Sequence, residues 1–241
     1  PTTELLPDKH THNVYFSASQ HLNESLELFA EGRYAQRDVR MRPWIAEEGA
    51  PLLPVPATNP FFVDPFGDAP LVLVAYDFTN DLGPLRDQGR TRSYLGTLGL
   101  NGKVSGEWYT SLSASYGAEE SRVVTRGSVN PFALDAALAD TDPATAFNPF
   151  GDGSHTNPAT IDAIHLILHD KARSKLGSIQ LIADGPLADL PSGTAKLAIG
   201  SEYRTERLSQ ATYYKGLDPR SASVRLGRKI VAAFAELSLP L

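Results

Sequence analysis

An all-β chain of long antiparallel strands, forming part of the wall of a transmembrane barrel, is the fold the sequence predicts, on three observations. First, the chain alternates cleanly over long stretches. From Leu26, one parity runs Leu26, Leu28, Ala30, Gly32, Tyr34 and the other Glu27, Phe29, Glu31, Arg33, Arg37; from Ala195, it is Ala195, Leu197, Ile199, Tyr203 against Lys196, Gly200, Glu202, Arg204, Glu206. Successive strand side chains point to opposite faces, so each stretch has an apolar face and an ionisable one. Second, these stretches run well past the usual strand length of about six residues. Third, very short and very long connections alternate, as they do between the two rims of an outer-membrane barrel, where lipid lies outside and a wet lumen inside.

The elements follow in order. A first strand covers about 12–20, with Val14, Phe16 and Ala18 against Tyr15, Ser17 and Ser19. The turn-rich His21-Leu22-Asn23-Glu24 leads to a second strand over Ser25–Arg40. Residues 42–70 carry Pro51, Pro54, Pro56, Pro60 and Pro65 and read as a loop, because proline cannot serve a central ladder. Leu71–Phe78 is a short strand, expected to pair with the segment from Arg90 across Leu82-Gly83-Pro84. Arg92–Leu100 and Glu107–Tyr116 form a hairpin around Asn101-Gly102, a strong tight-turn dipeptide. Within it, Trp108 and Tyr116 bracket one apolar face, as aromatic girdles do at two membrane interfaces.

Residues 126–174 break the rhythm. Pro131–Ala139 reads as a short helix opened by proline, and Pro158–His169 as a second capped by Asn157. Strands resume over Lys175–Ala183, from Thr194, and again beyond a loop at 214–223, making about seven or eight in all.

Composition sets bounds. No apolar run among the 241 residues approaches the roughly 20 that a membrane helix needs. Net charge is −6, from 22 basic and 28 acidic residues with no basic stripe interleaved with aromatics, so no nucleic-acid groove is expected. The absence of cysteine excludes disulfides and thiolate metal sites. With no initiator Met or signal core at the start and a strand still running at the end, the chain is expected to be a piece of a longer one.

No catalytic constellation emerges. There is no G-x-S-x-G, phosphate-cradling glycine loop or dinucleotide fingerprint. His165 and His169 lie four apart in HLILH on the expected second helix, spacing that suits zinc; the metalloprotease version needs Glu where Leu166 stands, and a solvated loop helix is the plainer reading. His10 and His12 read as surface residues. Glu47-Glu48 and Glu119-Glu120 are adjacent in sequence and so point to opposite faces of a strand. Asp152-Gly153-Ser154 lacks the oxygen series calcium wants. Asn-Pro-Phe recurs at Asn59, Asn130 and Asn148 and reads as a loop anchor rather than a peptide-docking motif. Glu27, Glu31, Arg33, Arg37, Glu202, Arg204 and Glu206 are expected to pair across strands on the wet face.

Several segments, in order, are similar to one family. Pro56-Ala57-Thr58-Asn59-Pro60-Phe61, Asp64-Pro65-Phe66-Gly67, Leu82-Gly83-Pro84, Phe147-Asn148-Pro149-Phe150-Gly151-Asp152-Gly153, Leu187 through Gly193 to Leu197–Glu206, and Ala233–Leu241 resemble the barrel domain of TonB-dependent outer-membrane receptors. That resemblance implies that residues 1–241 are about a third of a barrel of about 22 strands, beginning just after the plug, with the plug domain and the C-terminal closing strands absent. It also implies bacterial outer-membrane localisation and energised uptake of a scarce nutrient such as a metal chelate or oligosaccharide. The implied partners are that imported ligand, the receptor's own plug and through it the TonB complex, and outer-membrane lipid. No enzyme activity, cofactor or metal is implied, and no ligand-binding residue is assigned. The alternative is a self-contained eight-stranded outer-membrane barrel acting as adhesin or anchor, in which the first and last strands pair.

Overall fold

The computed structural model describes residues 4, 6–43, 51–65, 67–151, 156–216 and 222–240. Seven long strands form one antiparallel sheet: β1 (Asp8–Asn23), β2 (Leu26–Met41), β5 (Arg86–Ser105), β6 (Trp108–Val129), β7 (His165–Leu190), β8 (Gly193–Lys215) and β9 (Ala222–Ser238). They are ordered β1-β2-β5-β6-β7-β8-β9, a meander interrupted only by the small hairpin of β3 (Leu52–Pro56) and β4 (Leu71–Ala75). Three short helices, α1 (Thr79–Leu82), α2 (Pro131–Ala139) and α3 (Pro158–Ile164), lie in the same long connections. Tight turns at 24–25, 106–107 and 191–192 occupy one rim, and the strand ends that lead into the longer connections, after Met41, Val129 and Lys215, lie at the other. Among the described residues β1 pairs only with β2 and β9 only with β8, so the sheet is open. No helix among them is long and apolar enough to cross a membrane, which says nothing about strands.

The all-β, antiparallel expectation holds, and the strands are longer than the sequence suggested. The β5–β6 turn is not Asn101-Gly102 but Gly106-Glu107, where Gly106 takes φ 58°. Gly102 stays in the ladder opposite Leu26 and Thr110, and a Cβ there would run into the Ser25 carbonyl oxygen, which accepts the Lys103 N–H at 2.9 Å. Its missing side chain therefore serves close approach rather than a turn. β4 pairs with β3 rather than with β5, and Pro54 and Pro56 sit inside β3. In a two-stranded ribbon a proline can turn its donor-free nitrogen outward. The second helix stops at Ile164: His165–His169 begins β7, with His165 opposite Val129 and His169 opposite Val124. The span 184–193 continues β7 to Leu190 and turns at 191–192 into β8.

Register carries one parity across all seven strands. Ala30 faces Leu98, Leu98 faces Ala114, Ala114 faces Ile179, Ile179 faces Tyr203 and Tyr203 faces Val231. This face holds the apolar band, and the chain leaves it uncovered: Leu98 is 55% exposed and Val231 80%. The opposite face is rich in hydroxyls, with cross-strand bonds Thr97–Ser115 at 2.9 Å and Thr91–Ser121 at 3.2 Å. Three aromatic rings lie over glycines of the neighbouring strand, Phe29 on Gly99, Phe234 on Gly200 and Trp108 on Gly185. Such pairs cover the backbone that a glycine would leave bare.

The close-packed core is not in the sheet. Leu53, Val55, Val72, Leu134, Leu138, Phe147 and Ile164 bury one another in a cap made from β3, β4, α2, α3 and the loops between them.

Candidate functional site

The cap sits on the rim of long connections, and asparagine builds it. α2 forms because Pro131 occupies its first turn, where no N–H is needed, and the Asn130 side chain accepts from the N–H groups of Phe132 and Ala133 at 3.1 and 3.2 Å. Its amide nitrogen donates to the Gly216 carbonyl at 2.7 Å, tying the end of β6 to the end of β8. Asn59 repeats the motif from the β3–β4 loop: its oxygen accepts the Phe61 N–H at 3.0 Å, and its nitrogen donates to the Leu138 and Phe147 carbonyls at 2.9 and 3.1 Å. Asn148 accepts the Phe150 N–H at 3.0 Å and donates its own N–H to Thr156 Oγ1 at 3.1 Å. In all three copies the asparagine is buried, whereas Phe132 is 73% exposed and Phe150 37%. The motif acts as a loop anchor. At the centre, Tyr76, Phe78 and Phe147 pack with ring centroids 4.8 to 5.7 Å apart, and Tyr76 Oη donates to Asp81 at 2.7 Å. The cap is thus a packed platform on one rim, with asparagine side chains capping the N-termini of α2 and α3.

Two loop carboxylates are acidified by hydrogen bonds. The Thr79 hydroxyl, then its backbone N–H, hold Asp77 below the ordinary aspartate value of 3.8, and the Asp142 N–H, then the Thr145 hydroxyl, do the same for Asp140.

On the polar face, the expected cross-strand pairing is present once in this group: Arg228 of β9, directly opposite Glu206, contacts it at 2.5 Å, whereas Arg204 pairs along its own strand β8, with Glu202 at 2.7 Å and Glu206 at 3.7 Å. Among the described residues Glu27, Glu31, Arg33 and Arg37 share this face without a salt bridge. Glu119 and Glu120 point to opposite faces, and Glu120 meets Arg173 at 3.2 Å. His10 lies 3.3 Å from Asp8, on the same face as His12. His165 and His169 stand on one strand, about 13 Å apart at the usual rise, beyond the reach of one zinc ion. Among the described residues no group of three or more His, Asp or Glu is placed to hold a metal. Glu47-Glu48 and Asp152-Gly153-Ser154 lie outside the described residues.

A feature that sequence reasoning missed lies on the apolar face, between the band and the long-connection rim. In one cross-strand row Asp38, Arg90, Arg122 and Lys171 stand side by side; in the next, Gln36, Arg92, Glu120, Arg173, Ser209 and Arg225; below them Lys175 faces Arg207. Part of this belt is paired, with Arg90 on Asp38 at 2.5 Å, Arg92 Nε on Gln36 at 2.9 Å and Arg173 on Glu120. Lys171 also lies 5.2 Å from the Tyr213 ring centroid. Open grooves of about 550 and 380 Å³ run along it, on the β1 side and the β9 side of Arg122. The signal was present in the sequence: Arg90 and Arg92 share parity with Tyr94, Leu98 and Leu100.

Neither a protein-family model nor a curated protein matches the chain.

Proposed function

We propose that this chain is a wall segment of a TonB-dependent outer-membrane receptor, its apolar face against lipid and its hydroxyl-rich face against a wet lumen. Ligand capture belongs to the capped rim and passage to the lumen, gated by a plug. The observation that carries the membrane part is the uncovered apolar band. It spans seven strands in register and is edged by Trp108 toward the tight turns and by Tyr34, Tyr94 and Tyr116 toward the long connections. Trp108 to Tyr116 is eight residues, about 27 Å of strand, or about 20 Å of height at barrel tilts. Outer-membrane barrels carry an apolar band about 25 Å tall between aromatic girdles. Tight turns on one rim and long connections on the other have the same sense. The receptor part is supported by the resemblance and by the open order of the sheet, since a small complete barrel requires β1 to pair with β9.

The chain's lack of cysteine makes the test clean. Single cysteines at Leu112, Ser113, Ala114 and Ser115, in chain inserted into phosphatidylcholine vesicles, are expected to react with a water-soluble maleimide in strict alternation, fast at the serine positions and slow at the others. Equal rates on both faces would end the membrane reading. A Val14→Cys, Leu237→Cys pair addresses the receptor part. Efficient intramolecular disulfide formation would mean that β1 and β9 close a small ring, and import would be withdrawn.

A further inference from the structure

We infer that the cationic belt on the apolar face is a binding surface for phosphate groups of an anionic lipid in the leaflet on the long-connection side. The inference rests on the membrane reading above and adds to it a lipid partner and its leaflet. The key observation is the register. Arg90, Arg122 and Lys171 are direct cross-strand neighbours on three adjacent strands, and Lys175 is directly opposite Arg207 on the next pair. Side chains directly opposite in an antiparallel pair start about 5 Å apart, and like charges there are destabilising. Asp38 neutralises one end of the first row at Arg90. Among the described residues Arg122, Lys175, Arg207 and Arg225 have no carboxylate partner. A protein surface that stacks cations this way is completed by an external anion.

Position selects which anion. The belt continues the apolar band on the same face: Lys175 and Arg207 stand in the same row as Tyr34 and Tyr94, and Arg92 and Arg90 lie two and four residues beyond Tyr94, so whatever covers the band meets the belt with its polar end. A lipid does both: its chains cover the band, and its phosphate reaches the guanidinium groups, which bind phosphate oxygens in bidentate fashion. The other end of this face, at Leu26, Gly102, Trp108, Gly185, Leu197 and Leu237, carries no charge. The asymmetry therefore distinguishes one leaflet from the other. Open grooves either side of Arg122 leave room for head groups between the side chains.

The test is flotation of the full chain with three vesicle types: phosphatidylcholine alone, phosphatidylcholine with lipid A, and phosphatidylcholine with lipid A plus 10 mM inorganic phosphate. Each cation near an anionic surface contributes roughly fivefold to binding. The variant Arg122→Gln, Lys175→Gln, Arg207→Gln is therefore expected to lose on the order of a hundredfold of the lipid A preference while binding plain phosphatidylcholine unchanged. Removing mutually repelling cations does not threaten the fold. The control Lys9→Gln, Lys103→Gln, Lys196→Gln changes three cations of the polar face and is expected to keep the preference. Equal binding of the original chain to plain and lipid A vesicles overturns the belt inference and leaves the membrane reading standing. So does a preference lost in the control rather than the belt variant. Abolition of the preference by inorganic phosphate assigns the grooves to a free anion and also overturns it. Failure to float with any vesicle sinks the membrane reading itself.

Discussion

Replacing Asn59 with alanine removes the polar group that joins the β3–β4 loop to α2 and to Phe147. Asn59 is 3% exposed, and its two acceptors belong to Leu138 at 2% and Phe147 at 0%. Truncation strips the amide donor from both carbonyls and leaves the Phe61 N–H without its side-chain acceptor. A buried group that loses its partner costs about 1–3 kcal/mol, with carbonyls toward the lower end, so about 2–4 kcal/mol is expected for the pair. The cost falls on the cap, because the ladder of the large sheet does not involve Asn59. Amide hydrogen exchange in detergent micelles reads the two regions separately. Protection in α2 and β3 should fall by roughly 30- to 1000-fold, at about 1.4 kcal/mol per tenfold, while the centres of β6 and β7 change little. Phe132→Ala, at an exposed position of the same motif, should stay within about 0.5 kcal/mol. Two results would refute this reasoning: unchanged cap protection in Asn59→Ala, or an equal loss in β6, which would mean that cap and sheet open as one unit.

Gly200→Val places a branched side chain where the Phe234 ring lies; displacing the ring should cost about 1–3 kcal/mol and show as a lower midpoint in urea, whereas a loss under 0.5 kcal/mol would mean that the ring moves aside freely. Phe147→Ala should cost about 3–5 kcal/mol, confined to the cap by the same exchange measurement. Because Asp77 and Asp140 are held below 3.8 in the folded chain, their contribution is complete above that value and is lost as pH falls through the lower folded values. Cap exchange should therefore be flat from about pH 7 down to about pH 5 after correction for intrinsic rates, and rise below 3.8. A rise already complete at pH 5 would point to another group.

Much of the large sheet was legible because parity is a local property. Leu26 through Tyr34 and Ala195 through Tyr203 announce their faces without knowledge of their neighbours, and the structure keeps both assignments. Local signals failed where a long-range contact decided the matter. Asn101-Gly102 has turn chemistry, yet β2 passes so close that a glycine is required in the ladder there. HLILH has helical spacing, but Leu166 is taken up opposite Ser128 of β6. Pro54 and Pro56 exclude a central strand and permit the small ribbon that carries them. Among the polar groups, the role of the three Asn-Pro-Phe asparagines was readable from turn preference alone. The belt was not found because Arg90, Arg122 and Lys171 become neighbours only through register.

The segregation of the long connections has a consequence for how such a chain can change. Closing a loop costs free energy that grows only with the logarithm of its length, about 0.6 kcal/mol for each doubling. The connection 130–164, which carries α2 and α3, can therefore be lengthened or recast at little thermodynamic cost to the pairing of β6 with β7 that it joins. The tight turn at 106–107 has no such latitude, because each added residue disturbs the register it sets. One rim is free to diversify while the other holds the strands in step, so novelty and constancy are assigned to opposite ends of the same sheet.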